Sequence, residues 1–487
     1  MKRGSTSPIN GTLLGLLYLS ELAALLAVFT LYRSAGKPDL LSFVVSRPGI
    51  LFLTASLVCV LSVVGIIQQL LKGRQTKSGQ IIPTLATNLV PLLTVLTLAE
   101  LTARLCVSIT PAGPAFGSIP LRPRMWEEIA AHYSEIAKRR SEYDTFFVYD
   151  DLLGWTNGPS RRSEDGLFLS SVEGLRSPKA GMTYAERPTA CRIALLGDSF
   201  TFGWETPFEE SWGHQLELGL PMGCQVLNFA VPWFGIGQMY LRYARDVRPW
   251  QPDIVVLAFT NGAEARTMGV YGFLTHATSD LPWAQPHFVL KDKGVEIVNL
   301  PLPPAERIFS LPSITDLPYI EYDWHFHPRE WDLTRWRYFY SSYLFRFFIS
   351  WYPLHEIDRP ENSKETLNSV NLELFRAFVQ LTSSSGSIPI VVYLPGERDY
   401  PYPRSWDPVG LKILRDAGIE YTDLTSCLNV LHPSERFLRS GNSPHYSTKG
   451  EATIAQCVQG IVNKHLLERK KDKQRKTYPN QGAKSIM

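Results

Sequence analysis

Four short segments of this 487-residue chain carry residue types suited to acyl chemistry, and they occur in a usable order. The first is Gly197-Asp198-Ser199, at the end of the apolar run Ile193–Leu196, which offers a hydroxyl. Asn228 leads into a Gly-bearing segment that holds Gly235 and Gly237. Asn261 follows the apolar run Ile254–Phe259, and His445 lies in Gly441-Asn-Ser-Pro-His445, ahead of a long helical stretch. Acyl transfer needs a hydroxyl nucleophile, a base to take its proton, and donors facing the oxyanion that develops. Ser199, His445, and Gly235 with Asn261 and the Ser199 backbone N–H can fill those roles. Taken alone, Asp198 and Ser199 read equally as a helix cap.

In that order, the segments resemble the SGNH (GDSL-type) hydrolase superfamily. Ser199 stands in the Ser block, Gly235 in the Gly block with Gly237 also available, Asn261 in the Asn block, and His445 at the late His. Leu153-Gly-Trp155 is similar to segments that precede the domain in membrane-linked and polysaccharide-acetylating members. The resemblance covers about residues 153–466 and implies ester hydrolysis or acyl transfer without a metal or organic cofactor. Two departures stand out: Asn261 is followed by Gly262 where the family has Asp, and the position three before His445, usually Asp, is Asn442. In a serine triad the carboxylate fixes the imidazole tautomer, and its exchange for Asn costs about 10⁴ in turnover. Three readings follow. Asn442 or a backbone carbonyl orients His445, another carboxylate such as Asp423 or Glu451 substitutes, or the domain has lost turnover and binds a glycan or an envelope partner.

Other motifs fail on spacing. A nucleophile elbow requires Gly at position 201, which is Thr, and a dinucleotide loop requires Gly at 240, which is Tyr. His325 and His327 share a face of an extended segment and read as a structural pair rather than a metal site.

These residues need a rigid frame. Apolar runs at Ile193–Leu196, Gln225–Phe229, Ile254–Phe259, Ile388–Leu394 and Tyr421–Leu424 read as strands. Helical patterning lies at about Glu209–Leu220, Gln238–Val247, Thr366–Thr382, Pro408–Ala417 and Thr448–Leu467. Continuous apolar strands alternating with helices predict an α/β fold with a doubly wound, flavodoxin-like parallel sheet. All the chemical segments then end on the carboxyl edge of that sheet. An aromatic-rich insertion at about 263–362 interrupts the rhythm and reads as a cap or side wall.

The expected organisation is a transmembrane region over 1–110, a linker and lead-in over 111–190, the hydrolase-like domain over 191–466, and a basic tail over 467–487. Gly11–Leu31, Gly49–Leu71 and Ile81–Leu98 each reach or approach the roughly 20 apolar residues a membrane span requires. Lys2, Arg3, Lys72, Arg74 and Lys77 against Arg33, Lys37 and Arg47 orient the N-terminus inward, which puts the hydrolase-like domain on the outer side. Hydrophobic residues are 45% and charged residues 20%, which excludes a disordered chain. The net charge is +3, and the last 22 residues hold seven Lys/Arg against two Asp/Glu. With the basic charge confined to a tail, nucleic-acid binding is not expected. The partners expected are an ester-bearing small molecule, glycan or lipid, and the membrane through several spans. Cys191 and Cys224 begin neighbouring strands and form either a disulfide or two buried thiols.

Overall fold

A computed structural model describes residues 96–477, except 98, 102, 111, 112, 118, 144, 186–188, 277, 278, 293, 335, 336, 352–362 and 439–444. Apart from Leu96 and Thr97, the three apolar stretches expected to cross a membrane lie outside the described residues, as does Asn442. Among the described residues no helix is long and apolar enough to cross a membrane.

Five parallel strands form the central sheet: β1 (Cys191–Gly197), β2 (Cys224–Asn228), β3 (Ile254–Phe259), β4 (Ile388–Tyr393) and β5 (Thr422–Asp423). Their spatial order is β2-β1-β3-β4-β5. That is the flavodoxin-like order, in which ligands bind beyond the carboxyl ends of the strands, where the winding direction reverses between β1 and β3. Every residue of β3 is buried, as its unbroken Ile-Val-Val-Leu-Ala-Phe run requires of a strand covered on both faces. Burying each such branched side chain contributes about 1.5–3 kcal/mol, so the edge bearing the site is anchored to a stiff platform.

Five helices cover the two faces. On one side α1 (Trp212–Gly219) packs against α5 (Thr448–Thr477). On the other, α3 (Ser363–Ser384) packs on α2 (Ile236–Arg242) and α4 (Val409–Ala417). Ile193, Leu195, Val256 and Val392 meet Trp212, Leu216, Ile454 and Val458 in the first layer. Phe259 meets Phe375 in the second, with ring centroids 5.3 Å apart.

Two disulfides brace this body. Cys191–Cys224 joins paired residues at the starts of β1 and β2, resolving the choice left by the sequence in favour of the bond. Cys427–Cys457 ties the short helix Thr425–Leu428 to α5. The chain between these two cysteines contains His445.

The segment expected to be a lead-in is largely structured. An antiparallel hairpin, Phe147–Asp150 with Gly154–Asn157, belongs to the same compact unit as the sheet. The aromatic-rich insertion is not one body: contacts assign its described residues up to 326 to the sheet-bearing unit, and those over 327–351 to a second unit with the described residues up to 129. That second unit contains the hairpin Val107–Thr110 with Gly113–Phe116 and the helix Tyr343–Trp351. Its Arg346 is fully buried, and the guanidinium donates to the Pro123 carbonyl at 3.0 Å and to Glu128 at 3.3 Å.

Candidate active site

Gly197 closes β1 where backbone and side chains crowd together. A Cβ there would lie 2.0 Å from Thr201 Oγ1 and 2.6 Å from the Ala258 carbonyl oxygen, so only glycine fits. The next residue, Asp198, caps the single helical turn Ser199–Phe202 by accepting the Phe200 N–H. Its other oxygen accepts the Thr260 hydroxyl at 2.6 Å and a hydrogen bond from the Arg266 guanidinium. Asp198 is fully buried and committed to the turn. Its work is to fix the backbone of the turn that carries Ser199.

Ser199 Oγ lies 2.9 Å from His445 Nε2, although 246 positions separate them in the chain. The imidazole packs against Phe200, with ring centroids 4.8 Å apart, and Phe200 in turn meets Tyr446. The Tyr446 hydroxyl donates to the Pro395 carbonyl just beyond β4. These contacts fix His445 to the carboxyl edge of the sheet.

On the far side of the ring, Glu205 Oε2 stands 3.0 Å from His445 Nδ1. This carboxylate was not among the candidates named from sequence. Glu205 comes six residues after Ser199, on the turn that leaves the helix Ser199–Phe202, and takes a left-handed backbone at φ 64°. With the carboxylate on Nδ1, that nitrogen carries the proton and Nε2 is free to accept from the serine, the tautomer a general base requires.

The two substitute carboxylates considered from sequence serve elsewhere. Asp423 accepts from Arg404 at 2.6 Å and from the Thr425 hydroxyl at 2.6 Å. Glu451, buried beneath the site, accepts the Trp212 N–H at 2.7 Å and the Thr206 hydroxyl at 3.5 Å. Burial pushes its carboxyl up to about 8, against the opposing pull of the Trp212 N–H and Arg176. Arg176, equally buried, is brought down to about 10 by desolvation. For both groups the loss of water outweighs their mutual attraction.

The expected oxyanion donors divide. Gly235 caps α2, and its N–H donates to Gln238 Oε1 at 3.1 Å; a Cβ at this position would lie 2.6 Å from the Thr267 nitrogen. In this arrangement its N–H is directed into the cap, because the loop must close onto the helix. Asn261 is exposed in the turn just beyond β3, at the edge that also carries Ser199. Asn228 ends β2 and works structurally, donating to the Thr201 carbonyl and accepting the Ala230 N–H.

Trp233 lies in the loop before Gly235, and its φ of 69° is a conformation that bulky residues seldom adopt. Its ring meets Trp204 and Phe147, with centroids 5.1 and 5.6 Å away, so aromatic packing holds the turn. The lead-in hairpin buttresses the same loop. Trp155 Nε1 donates to the Pro232 carbonyl, Asn157 to Ala230, and Gln238 reaches back to Leu153. The Leu153-Gly-Trp155 segment singled out by resemblance is therefore a support for the Gly-bearing loop.

No family model matches the sequence, and neither does any curated protein. Among solved structures the chain is similar to a lipolytic protein of the G-D-S-L family from Desulfitobacterium hafniense DCB-2, at 15% identity and a TM-score of 0.28, over 56% of this chain and 99% of that one. It is similar to the acetyl xylan esterase AlAXEase at 12% identity and a TM-score of 0.30, over 56% and 99%. A third likeness is to Axe2, an acetylxylan esterase from Geobacillus stearothermophilus, at 12% and 0.29, over 56% and 93%. At such identities and scores these likenesses do not bear on what this chain acts upon.

Proposed function

We propose that the chain is a membrane-anchored serine esterase or O-acyltransferase of the SGNH type, acting on an ester of cell-envelope carbohydrate or lipid. The observation that carries this reading is the hydrogen-bonded run from Ser199 through His445 to Glu205. His445 Nε2 takes the Ser199 proton as Oγ attacks the ester carbonyl, and Glu205 stabilises the imidazolium that forms. The carbonyl oxygen becomes an oxyanion facing the Ser199 backbone N–H and Asn261. When the tetrahedral adduct collapses, the alcohol leaves with the proton from Nε2 and the acyl group stays on Oγ. Water or a sugar hydroxyl, deprotonated by the same nitrogen, then releases it.

Membrane attachment rests on the three apolar stretches of the sequence, and the outward placement on their flanking charges. The two disulfides fit an oxidising compartment. The rival reading of a non-catalytic glycan binder drew on Asn442. A glutamate on Nδ1 weakens that ground, because the imidazole has a carboxylate from another part of the chain.

The test is labelling of the purified full chain by a fluorophosphonate, comparing wild type with Ser199→Ala. Labelling that disappears in the variant supports an activated serine. Folded wild-type protein that takes up no label would leave the binder reading standing.

A further inference from the structure

Glu205 sits on an unusual stretch of backbone. Between Phe202 and Thr206 two residues are left-handed, Gly203 at φ 75° and Glu205 at φ 64°. For glutamate this costs on the order of 1–3 kcal/mol and persists only where the surroundings impose it. The carbonyls of the turn converge on one side chain. Arg176 Nη1 donates to the carbonyl oxygens of Phe202 and Gly203, and Nη2 donates to that of Thr206.

Arg176 is only 1% exposed, and its guanidinium lies 5.1 and 4.7 Å from the ring centroids of Phe168 and Phe202. The turn is closed tightly over it. A Cβ on Gly203 would stand 2.8 Å from Arg176 Nη1 and 2.9 Å from Ser211 Cβ. Burying a cation is costly unless its donors are matched, and mere space-filling would favour an apolar side chain. A planar fork of fixed donors does what an apolar chain cannot, which is to dictate the direction of several carbonyls at once.

We propose that Arg176 is a positioning residue for catalysis: by clamping the carbonyls on both sides of Glu205, it holds that residue left-handed and its carboxylate on His445 Nδ1. The inference rests on the catalytic reading of Ser199, His445 and Glu205. It gives the buried arginine a function that acts through Glu205, distinct from general support of the fold.

The experiment is a double-mutant cycle on the full chain, with p-nitrophenyl acetate as the substrate. Arg176→Lys keeps the charge but replaces the fork by a single ammonium. It is expected to lower kcat about 10–100-fold with KM nearly unchanged, and the double variant with Glu205→Gln should be no slower than Glu205→Gln alone. Losses that multiply would mean the arginine acts through Ser199 or the fold, and would overturn the proposal. So would wild-type kcat in Arg176→Lys. Should that variant fail to fold, Gly203→Ala displaces the same turn by pushing a methyl against the guanidinium, and it must show the same kcat loss and the same non-additivity. Wild-type kcat or multiplying losses there would overturn the proposal equally. Ser199→Ala separates the two levels: hydrolysis that survives it removes the catalytic reading itself and the inference with it, whereas the other failures remove the inference alone.

Discussion

Glu205 and Ser199 stand six residues apart in the chain and grip opposite nitrogens of one imidazole, at 3.0 and 2.9 Å. The two residues therefore share one short stretch of chain, Ser199 to Glu205, and His445 is brought to both from the segment just before α5. This differs from the arrangement expected by resemblance, in which the acid precedes the histidine by three residues. On the proposed catalytic reading, position 442 then needs no carboxylate.

Glu205→Gln should lower kcat for p-nitrophenyl acetate by about 10²–10³ with KM little changed. The reference loss for removing a triad carboxylate is about 10⁴, and it comes from a buried aspartate. Here the glutamate side chain is 35% exposed, so water screens part of its effect. Asn442→Asp should raise turnover more in the Glu205→Gln background than in wild type, because only the former lacks an acid. Equal effects in both backgrounds would show that Glu205 does not serve as that acid.

Asp198→Asn should destabilise the domain by about 2–4 kcal/mol, read as a fall in urea midpoint. The amide keeps one acceptor for the Phe200 N–H but loses the charge that faces the Arg266 guanidinium in a fully buried position. Fluorophosphonate labelling should slow as well, since the turn carrying Ser199 is set by this cap. A variant as stable as wild type would mean that the pair with Arg266 contributes nothing net.

Glu451 makes stability depend on pH in a direction that can be worked out. Its folded value is about 8, against an ordinary carboxylate value near 4.5, so between these the folded protein holds a proton that the unfolded chain has released. Stability from this group is complete below about pH 4.5, falls as pH rises, and is lost above about 8, at no more than about 1.4 kcal/mol per pH unit. Glu451→Gln cannot titrate and keeps an acceptor for the Trp212 N–H. The variant should therefore gain on wild type progressively from pH 5 to pH 8 in parallel denaturant titrations. A gap that stays constant across that range would show the carboxyl to be ionised throughout.

Much of the frame was legible because β strands buried on both faces leave an unbroken apolar signature. Ile254–Phe259 matches β3 residue for residue, and the other four strands fall within two residues of their expected ends. Chain order and winding rules place the Ser199 and His445 segments toward one sheet edge, and the family resemblance adds the expectation that the two side chains meet there. Glu205 could not. Its role depends on a left-handed backbone at a residue type that gives no warning of it, and on a buried arginine contributed from the lead-in. The only local signal was Gly203, whose positive φ marks the sharp turn. Gly235 poses a related problem: a glycine in a helix-capping loop and a glycine presenting an amide to substrate look alike in sequence, and here its N–H donates to Gln238. Cys427–Cys457 was missed because it joins a short helix to a long one by tertiary packing alone, with no strand register to align the two cysteines.

That second disulfide leads to the last prediction. Cross-linking positions 30 residues apart removes loop-closure freedom from the unfolded chain worth about 3–4 kcal/mol. The Cys191–Cys224 bond, spanning 33 residues, carries a similar value on the same account. The two should nevertheless differ in function. Cys191–Cys224 lies at the amino ends of β1 and β2, the opposite end of the sheet from Ser199, whereas Cys427–Cys457 encloses the segment that presents His445. Cys427→Ser with Cys457→Ser should lower both the unfolding midpoint and the rate of fluorophosphonate labelling. Cys191→Ser with Cys224→Ser should lower the midpoint comparably and leave labelling of the folded protein within about twofold of wild type. Equal labelling losses in the two double variants would show that the bridges act on the domain as a whole and that the loop around His445 is held by its other contacts, Phe200 and Tyr446 among them.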